Sequence, residues 1–204
     1  MKPDEIEALS FKIIDEEAGE HRFSPHEWNI VRRMIHTSAD FEYMDTVRFH
    51  PKAIEAGLKA IRSGKAIITD TEMARVGIRK KELEYFKSSV TCFIHAPSIV
   101  KSAGASGMTR AQAAVDAAIP FMENGIYVVG NAPTALLRLL ELVKEGKARP
   151  ALIIGLPVGF VNAAESKAAL IETDYPHISN IGRKGGSNLA AGVVNALLKM
   201  ATQK

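Results

Sequence analysis

The stretch A-L-I-I-G-L-P-V-G-F-V-N-A-A-E-S-K-A-A-L-I, residues 151–171, decides the fold class. Residues 151–156 form an apolar run ended by Pro157 and Gly159, which reads as a buried strand. From Asn162 onward the pattern turns helical, with Asn162 and Glu165 at the spacing of a capping box. Strand, glycine turn and helix in immediate succession make half of a βαβ unit, and the same alternation recurs through the chain. Short β-branched or apolar runs at residues 66–69, 90–94 and 126–129 are each bounded by Gly, Pro, Asp or Asn. Helical patterns cover residues 3–17, 25–35, 51–62, 109–122, 134–144, 162–171 and 188–201, several opening on proline. A weaker strand lies near residues 45–49. This pattern predicts a single α/β domain over residues 1–204, a mostly parallel sheet with helices on both faces. In such a sheet ligands sit beyond the carboxyl ends of the strands, so the segments after each strand are where chemistry is sought.

Composition narrows the function classes. The 204 residues are 47% apolar and 24% charged with a net charge of +3, ordinary globular values that exclude disorder. The basic residues are dispersed rather than gathered into an arm or stripe, which argues against a nucleic-acid partner and leaves only a modest preference for anions. No apolar run reaches membrane-span length, and Lys2, Asp4, Glu5 and Glu7 do not suit a signal peptide. With one cysteine, Cys92, and therefore no internal disulfide, a cytoplasmic protein is expected. Residues 1–90 carry 15 basic and 16 acidic side chains, residues 91–204 only 11 and 7. The second half is therefore expected to be buried more heavily, or to pair with something.

Three segments carry glycines into a helix start. Residues 103–109 read A-G-A-S-G-M-T, with Thr109 and Gln112 as a capping box and Arg110 in the first turn; Gly185, Gly186 and Ser187 precede the last helix; and the third is the segment 155–167. Each is either an ordinary glycine turn or an anion site made by free helix N–H groups. Arg110 is disfavoured by the macrodipole unless an anion balances it. P-loop and dinucleotide fingerprints are missing, as is G-x-S-x-G, and Cys92 and His95 lack metal-ligand spacing. His36 lies off the apolar arc of Trp28, Val31, Met34 and Ile35, by roughly 150° at helical spacing. It is either an exposed capping histidine or, favoured as imidazolium by the helix C-terminus, a proton donor. Ser10 shares an apolar stripe with Ile6, Leu9 and Ile13, and its hydroxyl is expected on the Ile6 carbonyl unless it faces a ligand.

Several elements together resemble the precorrin-8X (cobalt-precorrin-8) methylmutase family. They are S-F-K-I-I-D-E-E (residues 10–17), R-R-M-I-H-T-S-A-D-F-E-Y (32–43), I-I-T-D-T-E-M (67–73), G-M-T-R-A (107–111), G-L-P-V-G-F-V-N-A-A-E-S-K (155–167) and G-R-K-G-G-S (182–187). The resemblance implies a cofactorless isomerase of cobalamin biosynthesis that moves a methyl group from C-11 to C-12 of the corrin ring, without metal or nucleotide. It implies a homodimer with active sites near the subunit interface, and a tetrapyrrole substrate. By the same resemblance His36 is catalytic, and Ser10, Thr37, Asp70, Gly107, Thr109, Arg110, Lys167, Gly186 and Ser187 are substrate-binding, with Arg183 a further partner for substrate carboxylates. A non-catalytic tetrapyrrole carrier and a nucleotide-using enzyme of doubly wound fold remain the alternatives.

Overall fold

A computed structural model describes residues 2–203. In chain order the elements are α1 (Pro3–Ala18), α2 (Pro25–Ser38), α3 (Tyr43–Thr46), β1 (Val47–Phe49), α4 (Ala53–Arg62), β2 (Ile67–Thr69), α5 (Glu72–Gly77), α6 (Lys80–Tyr85), β3 (Val90–Cys92), α7 (Pro97–Ser106), α8 (Arg110–Ala118), β4 (Ile126–Val129), α9 (Pro133–Lys144), β5 (Leu152–Gly155), α10 (Ala163–Ile171), β6 (His177–Asn180) and α11 (Ser187–Ala201). The six strands form one sheet in the order β1-β6-β5-β4-β2-β3, parallel throughout except for β1, which runs antiparallel along β6. The expected α/β architecture is therefore present, with β1 as its antiparallel edge.

Alternation along the strands builds two cores. Ile67, Ile126, Val128, Leu152, Ile154 and Ile178 point into the layer of α2, α4 and α11. Ile68, Tyr127, Val129 and Ile153 point the opposite way, against Val115 of α8, Leu136 and Leu139 of α9, and Leu170 of α10. Twelve of the fifteen residues of α11 are buried, so this helix is a core element between the sheet and α2. A helix buried nearly all round carries few charges, which accounts for much of the charge deficit of the second half.

Several expectations are corrected. The strand β6 was hidden in the polar run H-I-S-N, because His177, Ser179 and Asn180 find internal partners while only Ile178 gives an apolar signal. The helix expected over residues 109–122 ends at Ala118 and continues as a 3₁₀ turn, Ile119–Phe121, since Pro120 offers no N–H to an α-helix. The helix expected from Pro51 starts at Ala53. Residues 103–106, read as a glycine turn, are the last turn of α7, and Gly107 is its left-handed C-cap at φ 68°. Asn162 adopts φ 60° and makes no side-chain cap, so the box with Glu165 does not form. Among the described residues no helix is long and apolar enough to cross a membrane.

Candidate active site

The carboxyl ends of the parallel strands are bound together by one hydrogen-bonded chain of turns. After β2, Asp70 is buried, and its carboxylate accepts from the backbone N–H groups of Gly130 (2.9 Å), Asn131 (2.8 Å) and Ala132 (2.8 Å), which lead into α9. Burial raises the Asp70 pKa against the pull of those three donors. Next to it, Thr71 caps α5 and shares a 2.8 Å hydroxyl contact with Ser187 at the start of α11. Gly130 permits that approach, since a Cβ there would lie 2.6 Å from Ser187 Cα. On the α9 side, Thr109 closes the expected capping box with Gln112 and donates to the Thr134 hydroxyl at 3.3 Å, which sets the starts of α8 and α9 side by side.

Arg110 follows at the first position of α8, exposed and without a hydrogen bond or ion pair among the described residues. That is the unbalanced first-turn cation the sequence suggested. Gly107, at the end of α7, is exposed nearby in the chain.

On the opposite face of the sheet, α2 carries His36 and Thr37 in its last turn. Thr37 Oγ1 donates back to the Arg33 carbonyl at 2.8 Å and rests on Gly192 of α11, where a Cβ would come within 3.1 Å of it. His36 is exposed, with its ring edge-on to Phe11 of α1 at 5.2 Å between centroids. Partial withdrawal from water and the neighbouring Arg33 hold its pKa below the ordinary 6.5, and Glu7 only partly offsets them. Apart from the helix C-terminus, then, the surroundings of His36 act against imidazolium. Ser10, half-buried beside Phe11 in sequence, makes no bond to the Ile6 carbonyl, and its hydroxyl has no partner among the described residues. The stripe it borders is also not packed inside, because Ile6, Leu9 and Ile13 are exposed.

The β6–α11 loop lies between these groups. Lys184 Nζ reaches Asp40 at 2.6 Å and Glu42 at 2.7 Å, tying the loop to the chain that leaves α2 and holding the Asp40 carboxyl below the usual range. From within, Lys167 is fully buried and donates to the Lys184 carbonyl at 2.5 Å and to Asn180 Oδ1 at 3.2 Å, while burial lowers its pKa to about 8. Arg183 stacks over Phe160 of the β5–α10 turn at 5.4 Å, and its carbonyl accepts from Gly159. Gly186, the residue before α11, adopts φ 141°.

Contacts thus link the starts of α8, α9 and α11 through Thr109, Asp70 and Ser187, and Thr37 touches α11 at Gly192, while Asp70 and Lys167 are turned inward onto protein groups. Sequence reasoning missed Lys184 with its two carboxylates, Phe160 and Phe11. The partner of Asp40 and Glu42 lies some 140 positions away and leaves no local signal.

A family model described as precorrin-8X methylmutase matches residues 5–200. The chain belongs to this family. As a methylmutase it is an isomerase. Among its relatives, the cobalt-precorrin-8 methylmutase of Priestia megaterium is 46% identical, with 98% of this chain and 89% of that protein covered. The cobalt-precorrin-8 methylmutase of Salmonella typhimurium is also 46% identical, covering 97% and 95%. A crystal structure of the precorrin-8X methylmutase from Thermus thermophilus superposes with a TM-score of 0.92 at 48% identity, covering 97% of this chain and 96% of that one.

Proposed function

We propose that this isomerase of cobalamin biosynthesis acts on precorrin-8X or cobalt-precorrin-8, moving the methyl group from C-11 to C-12 to give hydrogenobyrinate or cobyrinate, with His36 as proton donor to the macrocycle. One carbon–carbon bond breaks at C-11 as another forms at C-12, so composition is conserved. The proton that His36 lends to a ring nitrogen or the conjugated system returns to the imidazole when product forms. Such a proton stabilises the rearranging chromophore only if it is held where charge develops, which is the requirement for general acid catalysis.

The observation that carries this reading is an exposed imidazole and an arginine without a partner among the described residues on opposite faces of the sheet: α2 belongs to one core and α8 to the other. A flat polycarboxylate lying over the strand ends meets His36 on one side and Arg110 on the other. Arg183, the starts of α8 and α11, and the Ser10 hydroxyl are further contacts for its acetate and propionate arms. Asp70 and Lys167 serve the same site from beneath, by fixing the α9 start and the β6–α11 loop. The relatives at 46% identity carry the cobalt-precorrin name and the Thermus thermophilus protein at 48% the precorrin-8X name, so both substrates stay in the proposal.

Absorption spectra tell a methylmutase from a carrier, because conversion changes the chromophore and binding alone does not. With precorrin-8 or its cobalt form as substrate, His36→Ala is expected to lose turnover by about 10² to 10⁴ while still binding the corrinoid. His36→Asn, which donates a hydrogen bond but no proton, stays slow. Since the residue is exposed, either variant should keep its stability within about 1 kcal/mol. A folded His36→Ala protein turning over at the wild-type rate removes the mechanism.

A further inference from the structure

His36 differs from an ordinary acid–base histidine in what holds it. Neither of its ring nitrogens has a hydrogen-bond partner among the described residues, so no carboxylate or carbonyl sets the orientation of the imidazole, as one does in a catalytic triad. Its ring contact is Phe11 of α1, at 5.2 Å between centroids and 61° between planes, a T-shaped aromatic pair.

Phe11 is itself held in place. The Arg32 guanidinium carbon lies 4.5 Å from its ring centroid and that of Arg33 4.6 Å, with Lys199 Nζ of α11 at 5.8 Å. Both guanidinium groups are anchored in turn. Glu7 takes both terminal nitrogens of Arg33 at 3.1 Å. Asp15 takes one terminal nitrogen of Arg32 at 2.8 Å, and Asn29 the other at 3.0 Å. A planar ring packed against two forks of fixed geometry has little freedom to turn.

We propose that Phe11 is the positioning residue for His36: its ring, set by Arg32 and Arg33, fixes the plane of the imidazole and covers one side of it, leaving both ring nitrogens unpaired for the macrocycle. The inference rests on the acid role of His36 and adds the group that aims it. An aromatic wall orients the imidazole without competing for the proton that is to be donated. The charged groups about the pair are Glu7 of α1, Arg32 and Arg33 of α2, Lys199 of α11 and, beyond the end of α2, Asp40, which Lys184 holds. Withdrawal from water lowers the His36 pKa most, Arg33 lowers it further, and Glu7 raises it. Removing the Phe11 ring admits water, so the midpoint of His36 then moves back toward 6.5.

Phe11→Leu removes the ring and keeps an apolar side chain; Phe11→Tyr keeps the ring. Turnover of precorrin-8 or its cobalt form at saturation is expected to fall about 10- to 10²-fold in Phe11→Leu, the cost of misplacing a reacting group by about 1 Å. Product affinity should stay within about twofold, since aim and not binding is lost, and Phe11→Tyr should keep wild-type turnover. Proton NMR of the unliganded chain gives a second readout, one that a purely structural role would not move. The carbon-bound ring protons of His36, assigned by their disappearance in His36→Asn, are expected to carry a ring-current shift and to titrate below 6.5 in the wild type and in Phe11→Tyr. In Phe11→Leu the shift is lost and the midpoint rises. Wild-type turnover in Phe11→Leu while His36→Ala is slow, or an unmoved His36 titration, overturns the role of Phe11. Wild-type turnover in His36→Ala removes the acid role instead. Where Phe11→Leu does not fold, the wild-type chain decides: absence of both the ring-current shift and cross-relaxation between the two rings overturns the proposal.

Discussion

A histidine in the last turn of a helix is ordinarily favoured as imidazolium by the macrodipole, while partial withdrawal from water and the charge of Arg33 act on His36 in the opposite direction and lower its pKa. The sign fixes two pH dependences. Because the folded chain prefers the neutral ring, protonation costs stability as pH falls below the unfolded value near 6.5. Because the proposed role needs the protonated ring, kcat/KM, which reports the free enzyme, is expected to fall as pH rises through a midpoint below 6.5. That limb should vanish in His36→Asn; a wild-type profile flat from pH 5 to 8 sinks the acid role. Arg110 is the simpler case. A carboxylate contact is present in ground and transition states alike, so Arg110→Ala is expected to weaken product binding by roughly 1.5 to 3 kcal/mol with turnover at saturation nearly unchanged. Unaltered product affinity makes Arg110 a plain surface residue.

Elements, not single side chains, decide where those residues stand, and Asp70 shows how. Its carboxylate, on the turn after β2, serves as the missing cap of α9, a helix whose own preceding residue, Ala132, has no side-chain acceptor. Asp70→Ala strands three donors, two of them on half-exposed or exposed residues, and is expected to destabilise the chain by about 2 to 4 kcal/mol as read from the urea midpoint. A loss under about 0.5 kcal/mol would mean that Asp70 is not a cap and is free to meet substrate. The I-I-T-D motif marked this residue but not its use, since the partners lie 60 positions on. The same limit runs through the site. The strands β2, β4 and β5, the Thr109 box and the unbalanced Arg110 were legible because period, capping and dipole are local. The strand β6, the clasp of Lys184 on Asp40 and Glu42, and the inward turn of Lys167 rest on long-range pairing, which no local pattern encodes.

At the scale of the whole molecule, several segments break the pattern of a buried apolar core. Ile6, Leu9 and Ile13 form an exposed stripe on α1; Met73 and Val76 are exposed on α5; Phe160 and Val161 are exposed in the turn after β5 at 84% and 77%. Scattered exposed apolar residues are normal, but a stripe at helical spacing beside half-buried Ser10, on a helix whose other face already packs on α2 through Phe11 and Ile14, is an unpartnered surface. We predict a homodimer that covers this stripe and, as an obligate interface, buries about 2,000 Å² or more. Sedimentation equilibrium should then give twice the chain mass of 22.1 kDa. The double variant Ile6→Glu, Ile13→Glu removes no buried side chain, so it is expected to retain its fold by circular dichroism while shifting to the single-chain mass. Wild-type protein at the single-chain mass at micromolar concentration contradicts the dimer; a double variant that stays dimeric moves the interface off α1 and leaves the stripe to the macrocycle.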